Sequence, residues 1–175
     1  VFAKLASRDS VDQAEFDKFR KFLEDACGIS LGDNKQYLVT NRMRRLMDEY
    51  KIASFGDLVR SLKQGLHRKL KEEVIDAMTT NETFWFRDNY PFEYFGNKLL
   101  ARLQAQKPAS TLKVWSAACS YGQEPYSLSM AVEEYNKRPG SKPLSVDILA
   151  TDLSSAVLEH ARTGVYDRIS IARGL

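Results

Sequence analysis

The stretch that decides the fold spans residues 114–125 and reads VWSAACSYGQEP. Its first residues close a short β-prone run that begins at Leu112, and a loop of small residues follows. Pro125 is expected to open an apolar helix that extends to about Tyr135, since proline is favoured at the first helical position. A strand, a small-residue loop and a helix in this order are typical of open α/β sheets, in which ligands approach the backbone at the carboxyl ends of the strands.

The same order of elements returns further along the chain. Residues 146–150 predict a second strand, and residues 154–162 predict a helix that stops at Gly164. Alternating strands and helices are the pattern of a parallel, doubly wound sheet. We therefore expect an α/β domain over residues 112–175.

The first 80 residues have helical periodicity instead. Their apolar residues recur every three or four positions in four predicted helices: 12–27 (Phe16, Phe19, Leu23, Ala26), 34–50 (Val39, Met43, Leu46, Tyr50), 54–62, and a fourth after Gly65 (Leu66, Leu70, Val74, Met78). Ser54 and Asp57 resemble a capping box for the third helix. This pattern predicts a small all-helical domain over residues 1–80. A further helix is expected over residues 90–104, within a connecting segment at 81–111.

The composition is that of a globular protein, with 43% hydrophobic and 28% charged residues. No apolar run approaches the roughly 18 residues of a membrane span, and the N-terminus lacks the apolar core of an export signal. We therefore expect no membrane insertion and a cytoplasmic location. Cys27 and Cys119 lie far apart and outside any metal-ligand spacing, so we expect reduced thiols and no metal.

Positive charge is concentrated in the predicted helical domain. Residues 34–71 contain ten Lys or Arg residues and three acidic ones, whereas the formal charge of the whole chain is only +3. A basic surface of this kind attracts an acidic partner, although a solvated helix face would have the same composition.

Two acidic residues are candidates for contact with a ligand. Asp152 follows the second strand, where an acid can accept hydrogen bonds from ribose hydroxyls, and helix capping is its alternative role. Glu124 lies in the first turn of the predicted helix, where it could instead complement the helix dipole.

The loop itself is a weak dinucleotide fingerprint, because Ala118 and Ser120 stand where glycines would, and a tight turn packed by small residues is the alternative. No phosphate-binding lysine follows it. A ligand with a ribose and a positive centre but no phosphates, such as S-adenosylmethionine, fits these features best.

A third stretch, residues 79–89 (TTNETFWFRDN), sets three aromatic residues directly before Arg87 and fits neither a helix face nor a strand alternation. With this stretch included, the chain resembles the chemotaxis receptor glutamate methyltransferases of the CheR type. The resemblance rests on residues 79–87 (TTNETFWFR), 114–127 (VWSAACSYGQEPYS), 150–152 (ATD) and 161–166 (ARTGVY). These motifs are long and ordered, and the resemblance covers nearly the whole chain.

The resemblance implies transfer of a methyl group from S-adenosylmethionine to glutamate side chains of bacterial chemoreceptors, with S-adenosylhomocysteine as the product. It places Thr83 and Arg87 at the catalytic and cofactor site. It also places Asn81 and Ala118 at the cofactor, Glu124 beside its amino-acid or sulfonium region, and Asp152 on its ribose. Arg42, Arg44 and Arg45, on the basic second helix, would face the receptor's acidic methylation helix, with the enzyme recruited to receptor clusters at the membrane.

The implied chemistry agrees with these residue types. A glutamate carboxylate has an ordinary pKa of about 4.3, so it is ionised near neutrality and needs no general base. An arginine can orient that carboxylate by paired hydrogen bonds. We therefore expect Arg87 to hold a carboxylate or the cofactor in a pocket from which the neighbouring aromatic side chains exclude water.

The chain departs from the family in one respect, because family members continue well beyond Leu175. We therefore expect a helical bundle followed by the first half of a Rossmann-like, doubly wound S-adenosylmethionine methyltransferase domain. If the chain were a whole folded unit, a strand-exchanged oligomer or weak catalysis would be expected. Two other functions remain open at this point: a nucleic-acid methyltransferase, and a non-catalytic module that senses S-adenosylmethionine. The first is disfavoured because few stacking aromatics lie among the basic residues.

Overall fold

The computed structural model describes residues 11–65, 67–106, 111–140 and 142–175. The chain divides into two compact units, one up to Thr79 and one from Thr80 onward. The segment 81–111 falls within the second unit. Leu66, which the periodicity assigned to the fourth helix, lies outside the described residues.

The first unit is entirely helical over its described residues. Its helices are α1 (Gln13–Cys27), α2 (Gln36–Glu49, preceded by a 3₁₀ turn at Asp33–Lys35), α3 (Phe55–Gln64) and α4 (Arg68–Met78). The Ser54 hydroxyl caps α3 by accepting a hydrogen bond from the Asp57 N–H, and a cap of this kind stabilises a helix by about 1 kcal/mol. The structure therefore confirms the predicted helical bundle and its capping residue.

The apolar faces of these four helices meet in one core. Its buried members are Phe16, Phe19, Phe22, Leu23, Val39, Met43, Leu46, Met47, Phe55, Leu58, Val59, Leu62, Leu70, Val74 and Met78. Phe19 and Phe55 pack edge to face, with their ring centroids 5.2 Å apart. Burial of apolar side chains at helical spacing is what makes short helices stable in this unit.

Arg42 on α2 has a structural role within the first unit. Its Nη1 donates hydrogen bonds to the carbonyl oxygens of Met78 (2.9 Å) and Thr79 (3.1 Å) at the end of α4. The last carbonyls of a helix have no partner within the helix, so a side-chain donor there replaces a missing bond. Arg42 therefore joins the middle of α2 to the C-terminus of α4.

After the non-helical residues 80–89, the second unit has an almost continuous helical run and then two strand–helix pairs. Its elements are α5 (Tyr90–Tyr94), a π-helical turn (Phe95–Leu99), α6 (Leu100–Gln106), β1 (Leu112–Ala117), α7 (Gln123–Asn136), β2 (Val146–Thr151), α8 (Ser155–Thr163) and α9 (Arg168–Ile171). The two strands pair in parallel, from Leu112 with Val146 to Ala117 with Thr151. The predicted start of a doubly wound, Rossmann-like sheet is confirmed.

The structure differs from the predictions at several points in this unit. Helix α7 begins at Gln123, two residues before Pro125. Proline is tolerated there because the first N–H groups of a helix have no partner within it. Strand β2 extends to Thr151, and α9 was not predicted. Among the described residues, no helix is both long and apolar enough to cross a membrane.

Candidate functional site

The loop between β1 and α7 has an unusual backbone. Ala118, Ser120 and Gly122 have φ values of 60°, 50° and 96°, in the left-handed region that favours glycine. For a residue with a Cβ atom, this conformation costs roughly 1–2 kcal/mol. The backbone thus adopts a glycine-type conformation at both positions where the sequence has Ala118 and Ser120 in place of glycine. Contacts around the loop must hold this strained arrangement.

Three hydrogen bonds fix the loop to neighbouring parts of the second unit. The Cys119 N–H donates to the Thr151 carbonyl (2.9 Å), which ties the loop to the end of β2. The Ser120 N–H donates to Asp152 Oδ2 (2.8 Å), and the Ser120 hydroxyl donates to the Asn81 carbonyl (2.7 Å). The loop therefore joins the tip of the second strand to the segment that contains Arg87.

Asp152 uses both of its carboxylate oxygens to organise the backbone. Its Oδ2 accepts the Ser120 N–H, and its Oδ1 accepts the Ser154 N–H at 2.9 Å. The N-cap of α8 is Ser154, whose hydroxyl accepts from the Val157 N–H. Capping α8 is therefore the role of Ser154, and Asp152 orients the loop. Each of its oxygens has a second lone pair, and the residue is half-buried, so the carboxylate can accept further hydrogen bonds.

Glu124 lies in the first turn of α7, where a negative charge is favoured by the helix dipole. The hydroxyl of Ser116, which is buried at the end of β1, donates to Glu124 Oε1 at 2.7 Å. The residue as a whole is exposed. One oxygen is thus fixed from inside the sheet while the side chain faces solvent at the mouth of the loop.

The charges of Asp152 and Glu124 both affect the thiol of Cys119, which lies in the loop. Burial raises the pKa of the Cys119 thiol, and the charges of Asp152 and then Glu124 raise that pKa further. Cys119 is therefore a neutral, buried thiol, as expected for a packing role. The carboxylates of Asp152 and Glu124, which both hydrogen-bond to residues at this loop, place negative charge there, which favours a cationic ligand.

Arg87 lies on the wall formed by residues 81–89. Its Nη1 donates to the Glu82 carbonyl at 3.0 Å, and its guanidinium carbon is 5.7 Å from the centre of the Phe84 ring. The side chain is 54% exposed, which differs from the dry pocket expected from the sequence. The charge of Arg87 is therefore available at the surface of the described residues.

Arg173 is a second cation at this wall, and it was not among the residues predicted from the sequence. Its Nη2 is 2.8 Å from Glu82 Oε1, and its guanidinium carbon is 4.6 Å from the centre of the Phe84 ring. The Trp85 N–H donates to the Arg173 carbonyl at 3.2 Å. A Cβ atom on Gly174 would overlap the Trp85 carbonyl oxygen, so only glycine allows this approach. Arg173 lies 91 positions after Glu82 in the sequence, and no local sequence signal connects the two residues.

The remaining candidate residues fall into two groups. Asn81 and Thr83 are half-buried in the same segment as Arg87, and the Asn81 carbonyl contacts the loop through Ser120. The three basic residues of α2 belong to the first unit and differ in exposure. Arg44 and Arg45 are exposed, and Arg45 pairs with Glu49 at 3.5 Å, whereas Arg42 is half-buried by its contacts with α4.

Within the part of the chain that the structure describes, no group of three or more His, Cys, Asp or Glu side chains could hold a metal ion.

Each unit of the chain matches a different domain of one known protein family. Residues 81–175 match the domain described as the CheR methyltransferase SAM-binding domain. Residues 14–79 match the CheR methyltransferase all-alpha domain. The chain belongs to the CheR methyltransferase family. The resemblance noted from the motifs is therefore confirmed, and so is the predicted order of a helical domain followed by a cofactor-binding domain.

Individual members of the CheR family are similar along most of this chain. Chemotaxis protein methyltransferase Cher2 of Pseudomonas putida is 50% identical over 167 residues, which cover 95% of this chain and 61% of the relative. Chemotaxis protein methyltransferase 1 of Pseudomonas aeruginosa has the same identity and coverage. The chemotaxis protein methyltransferase of Escherichia coli is 29% identical, with 95% of this chain and 55% of the relative covered. The chain thus spans about three fifths of the length of these relatives.

Proposed function

We propose that this chain is the receptor-facing and cofactor-binding part of an S-adenosylmethionine-dependent O-methyltransferase that forms glutamate methyl esters on bacterial chemoreceptors. One observation carries the proposal: the strained loop 118–122 is fixed to the carboxylate of Asp152 inside the region that matches the CheR SAM-binding domain. The match to the all-alpha domain and the names of the relatives support the chemoreceptor as the substrate.

The residues around the loop fit S-adenosylmethionine. Small side chains leave the backbone of the loop accessible, and the carboxylates of Asp152 and Glu124 suit hydroxyl and cationic groups. When bound, the cofactor supplies an electrophilic methyl group and leaves as S-adenosylhomocysteine. We propose that its binding residues are Asn81, Thr83, Arg87, Ala118, Glu124 and Asp152, with no metal.

The chain's own contribution to the reaction is to orient the substrate. A receptor glutamate is ionised at neutral pH, so no side chain has to remove a proton from it. In the proposal, Arg87 holds the incoming carboxylate by paired, charge-assisted hydrogen bonds, and Thr83 contacts the same site. Phe84 supports the guanidinium of Arg87 from one side and that of Arg173 as well. Because Arg87 is solvent-exposed in the described residues, we propose that bound substrate completes the exclusion of water.

In the proposal, α2, the basic helix of the first unit, binds the receptor. Arg44 and Arg45 on α2 are exposed and suit an acidic helix by charge. Arg42 takes part from a half-buried position beside them. The protein would then act in the bacterial cytoplasm and be recruited to receptor clusters at the membrane.

The proposal is tested by incubating the protein with radiolabelled S-adenosylmethionine and a receptor cytoplasmic fragment. Base-labile label on the receptor is expected, because carboxyl esters hydrolyse in base. A matched control is a fragment whose methylation-site glutamates are replaced by alanine, which should remain unlabelled. Label on nucleic acid instead would favour a nucleic-acid methyltransferase. Cofactor binding without transfer to any acceptor would favour a sensing module, and either result would overturn the proposal.

A further inference from the structure

An aromatic cluster packs beside loop 118–122 and includes Tyr121, which is part of the loop. Its members come from three parts of the second unit: Trp85, Tyr121, Tyr126, His160 and Tyr166. The Tyr166 ring is central to the cluster. It packs edge to face against Trp85, His160 and Tyr126, with ring centroids 4.8, 5.5 and 6.0 Å away. Three contacts of this kind fix the ring in one orientation.

The Tyr166 hydroxyl is directed at the loop. It donates a hydrogen bond of 2.7 Å to the carbonyl oxygen of Tyr121, the residue between Ser120 and Gly122. It also fills the space beside Gly122, since a Cβ atom there would lie only 2.8 Å from the hydroxyl oxygen. The left-handed turn at Gly122 and the Tyr166 hydroxyl are therefore complementary in shape.

We propose that Tyr166 is a positioning residue that holds loop 118–122 in its ligand-binding conformation and links it to the wall that contains Arg87. This proposal rests on the proposed function, because the ligand of the loop is taken to be S-adenosylmethionine. It assigns to Tyr166 no contact with substrate or cofactor. The residue acts through the Tyr121 carbonyl on one side and through the Trp85 ring on the other.

The physical argument is one of strain and constraint. Ala118 and Ser120 are in a backbone region that costs energy, so the loop relaxes unless several contacts oppose it. Asp152 and Thr151 hold the first half of the loop, at Cys119 and Ser120. Tyr166 holds the second half. Burial, followed by the nearby Tyr126 and Cys119, raises the pKa of Tyr166 to about 12, so the hydroxyl keeps the proton that it donates.

Tyr126 provides a matched control. It belongs to the same cluster and its hydroxyl also donates to a backbone carbonyl, but the acceptor is Ala161 in α8 at 3.0 Å and not the loop. Tyr166→Phe and Tyr126→Phe each remove one hydroxyl and one hydrogen bond while the ring remains. Any difference between the two variants therefore reports the acceptor, not the loss of a hydroxyl in general.

Two measurements on the purified protein test the proposal. Calorimetric titration with S-adenosylhomocysteine should show a 3- to 10-fold weaker affinity, on the order of one lost hydrogen bond, for Tyr166→Phe and wild-type affinity for Tyr126→Phe. The Cys119 amide donates to the Thr151 carbonyl at the end of β2, and the Gly122 amide donates to the Cys119 carbonyl within the loop. Hydrogen exchange at these two amides should accelerate several-fold in Tyr166→Phe only.

The outcomes separate the two proposals. If both phenylalanine variants bind and exchange alike, Tyr166 is an ordinary packing residue and the inference is wrong. If the wild-type protein does not bind S-adenosylhomocysteine at all, the proposed function is wrong, and the exchange rates of the loop amides still decide whether Tyr166 anchors the loop. A circular dichroism spectrum equal to that of the wild type confirms that each variant is folded.

Discussion

The two units differ in the side chains that they bury and in the conformation of their backbone. In the first unit, every buried side chain among the described residues is apolar, and Lys51 is its one described residue with a positive φ that is not glycine. Among the described residues of the second unit, five polar side chains are buried (Ser116, Ser120, Gln123, Ser127 and Ser154). Five of these described residues other than glycine have positive φ values (Phe86, Asp88, Asn89, Ala118 and Ser120).

This difference shows where the sequence departs from the rules of stable folding. Strained backbone and buried polar groups each reduce stability unless the surroundings compensate, and proteins retain them mainly at functional positions. Here the five strained backbone positions of the second unit lie in the loop 118–122 and the wall 81–89. The buried polar Ser120 is in the loop, and the buried Ser116 and Gln123 lie next to its two ends. Mutations in the core of the first unit are therefore expected to change its free energy of unfolding. Mutations at the candidate site of the second unit are expected to change ligand binding and activity.

The largest effect on stability is expected in the first unit. Phe19 is completely buried and packs against Phe55, so Phe19→Ala should lower the free energy of unfolding of this unit by about 3–5 kcal/mol. Denaturant titration followed by circular dichroism measures this change. Tyr37→Ala, at a side chain that is 79% exposed, is the control and should change it by less than about 0.5 kcal/mol. The affinity of folded Phe19→Ala for S-adenosylhomocysteine should equal that of the wild type; a large loss would remove the distinction between the units.

The second prediction concerns a variant that should lose catalytic activity while its stability is unchanged. If Arg87 orients the substrate carboxylate as proposed, Arg87→Ala should reduce receptor methylation about 100-fold or more. The free energy of unfolding should change by less than about 0.5 kcal/mol, since the side chain is exposed. Arg102→Ala, at an exposed arginine of α6, should retain full activity. Equal activities of the two variants would show that Arg87 has no part in the reaction.

The third prediction isolates a steric contact in the loop. Gly122→Ala should destabilise the second unit by about 2–3 kcal/mol, because alanine there has both backbone strain and overlap with Tyr166 and the Ala161 side chain. Gly140→Ala is the matched control: its φ is +79°, but no atom lies within 4 Å of the added Cβ. It should cost only the backbone strain of about 1 kcal/mol, as measured by denaturant titration. Equal costs would mean that the loop relaxes around the new methyl group.

The smallest effect is a pH dependence at the wall. The hydrogen bond and then the charge of Arg173 lower the pKa of the Glu82 carboxyl below its ordinary 4.5. A lowered folded-state pKa stabilises the folded protein above about pH 4.5, and this contribution is lost as the pH falls through the lowered pKa of Glu82. The effect is small because the pair is exposed, and salt should weaken it further.

Glu82→Gln tests this pairing. Relative to the wild type, it should lose stability at neutral pH and none in strong acid, in denaturant titrations repeated between about pH 7 and pH 3. Glu93→Gln, at an exposed carboxylate of α5, is the control and should follow the wild-type pH profile. A constant difference between Glu82→Gln and the wild type at every pH would show that the charge of Glu82 is not what matters.

Local signals predicted the fold well because they act over a few residues. Ser54 caps α3, Gly28 and Gly164 end α1 and α8, and apolar periodicity identified the helical core. Pro125 was a weaker guide, since proline is accepted at several positions of the first helical turn.

The site was predictable only where its residues lie in motifs. Asp152 and the loop were found because each follows a strand. Arg173 lies outside these motifs, and the motif 161–166 contains Tyr166 without indicating its contact with the loop. The contacts of Arg173 with Glu82 and of Tyr166 with Tyr121 join residues far apart in sequence, and only the folded chain brings them together. Their roles follow from hydrogen bonds that no local pattern encodes.

Arg42 has a consequence for any effort to redirect this protein to another receptor. If α2 binds the receptor as proposed, exchanging its charges is the direct way to change the preferred partner, and Arg44 and Arg45 are exposed positions at which such exchanges can be made. Arg42 is different, because its guanidinium completes the end of α4 through the Met78 and Thr79 carbonyls. A redesigned α2 should therefore retain arginine at position 42 and encode its new specificity at the two exposed neighbours.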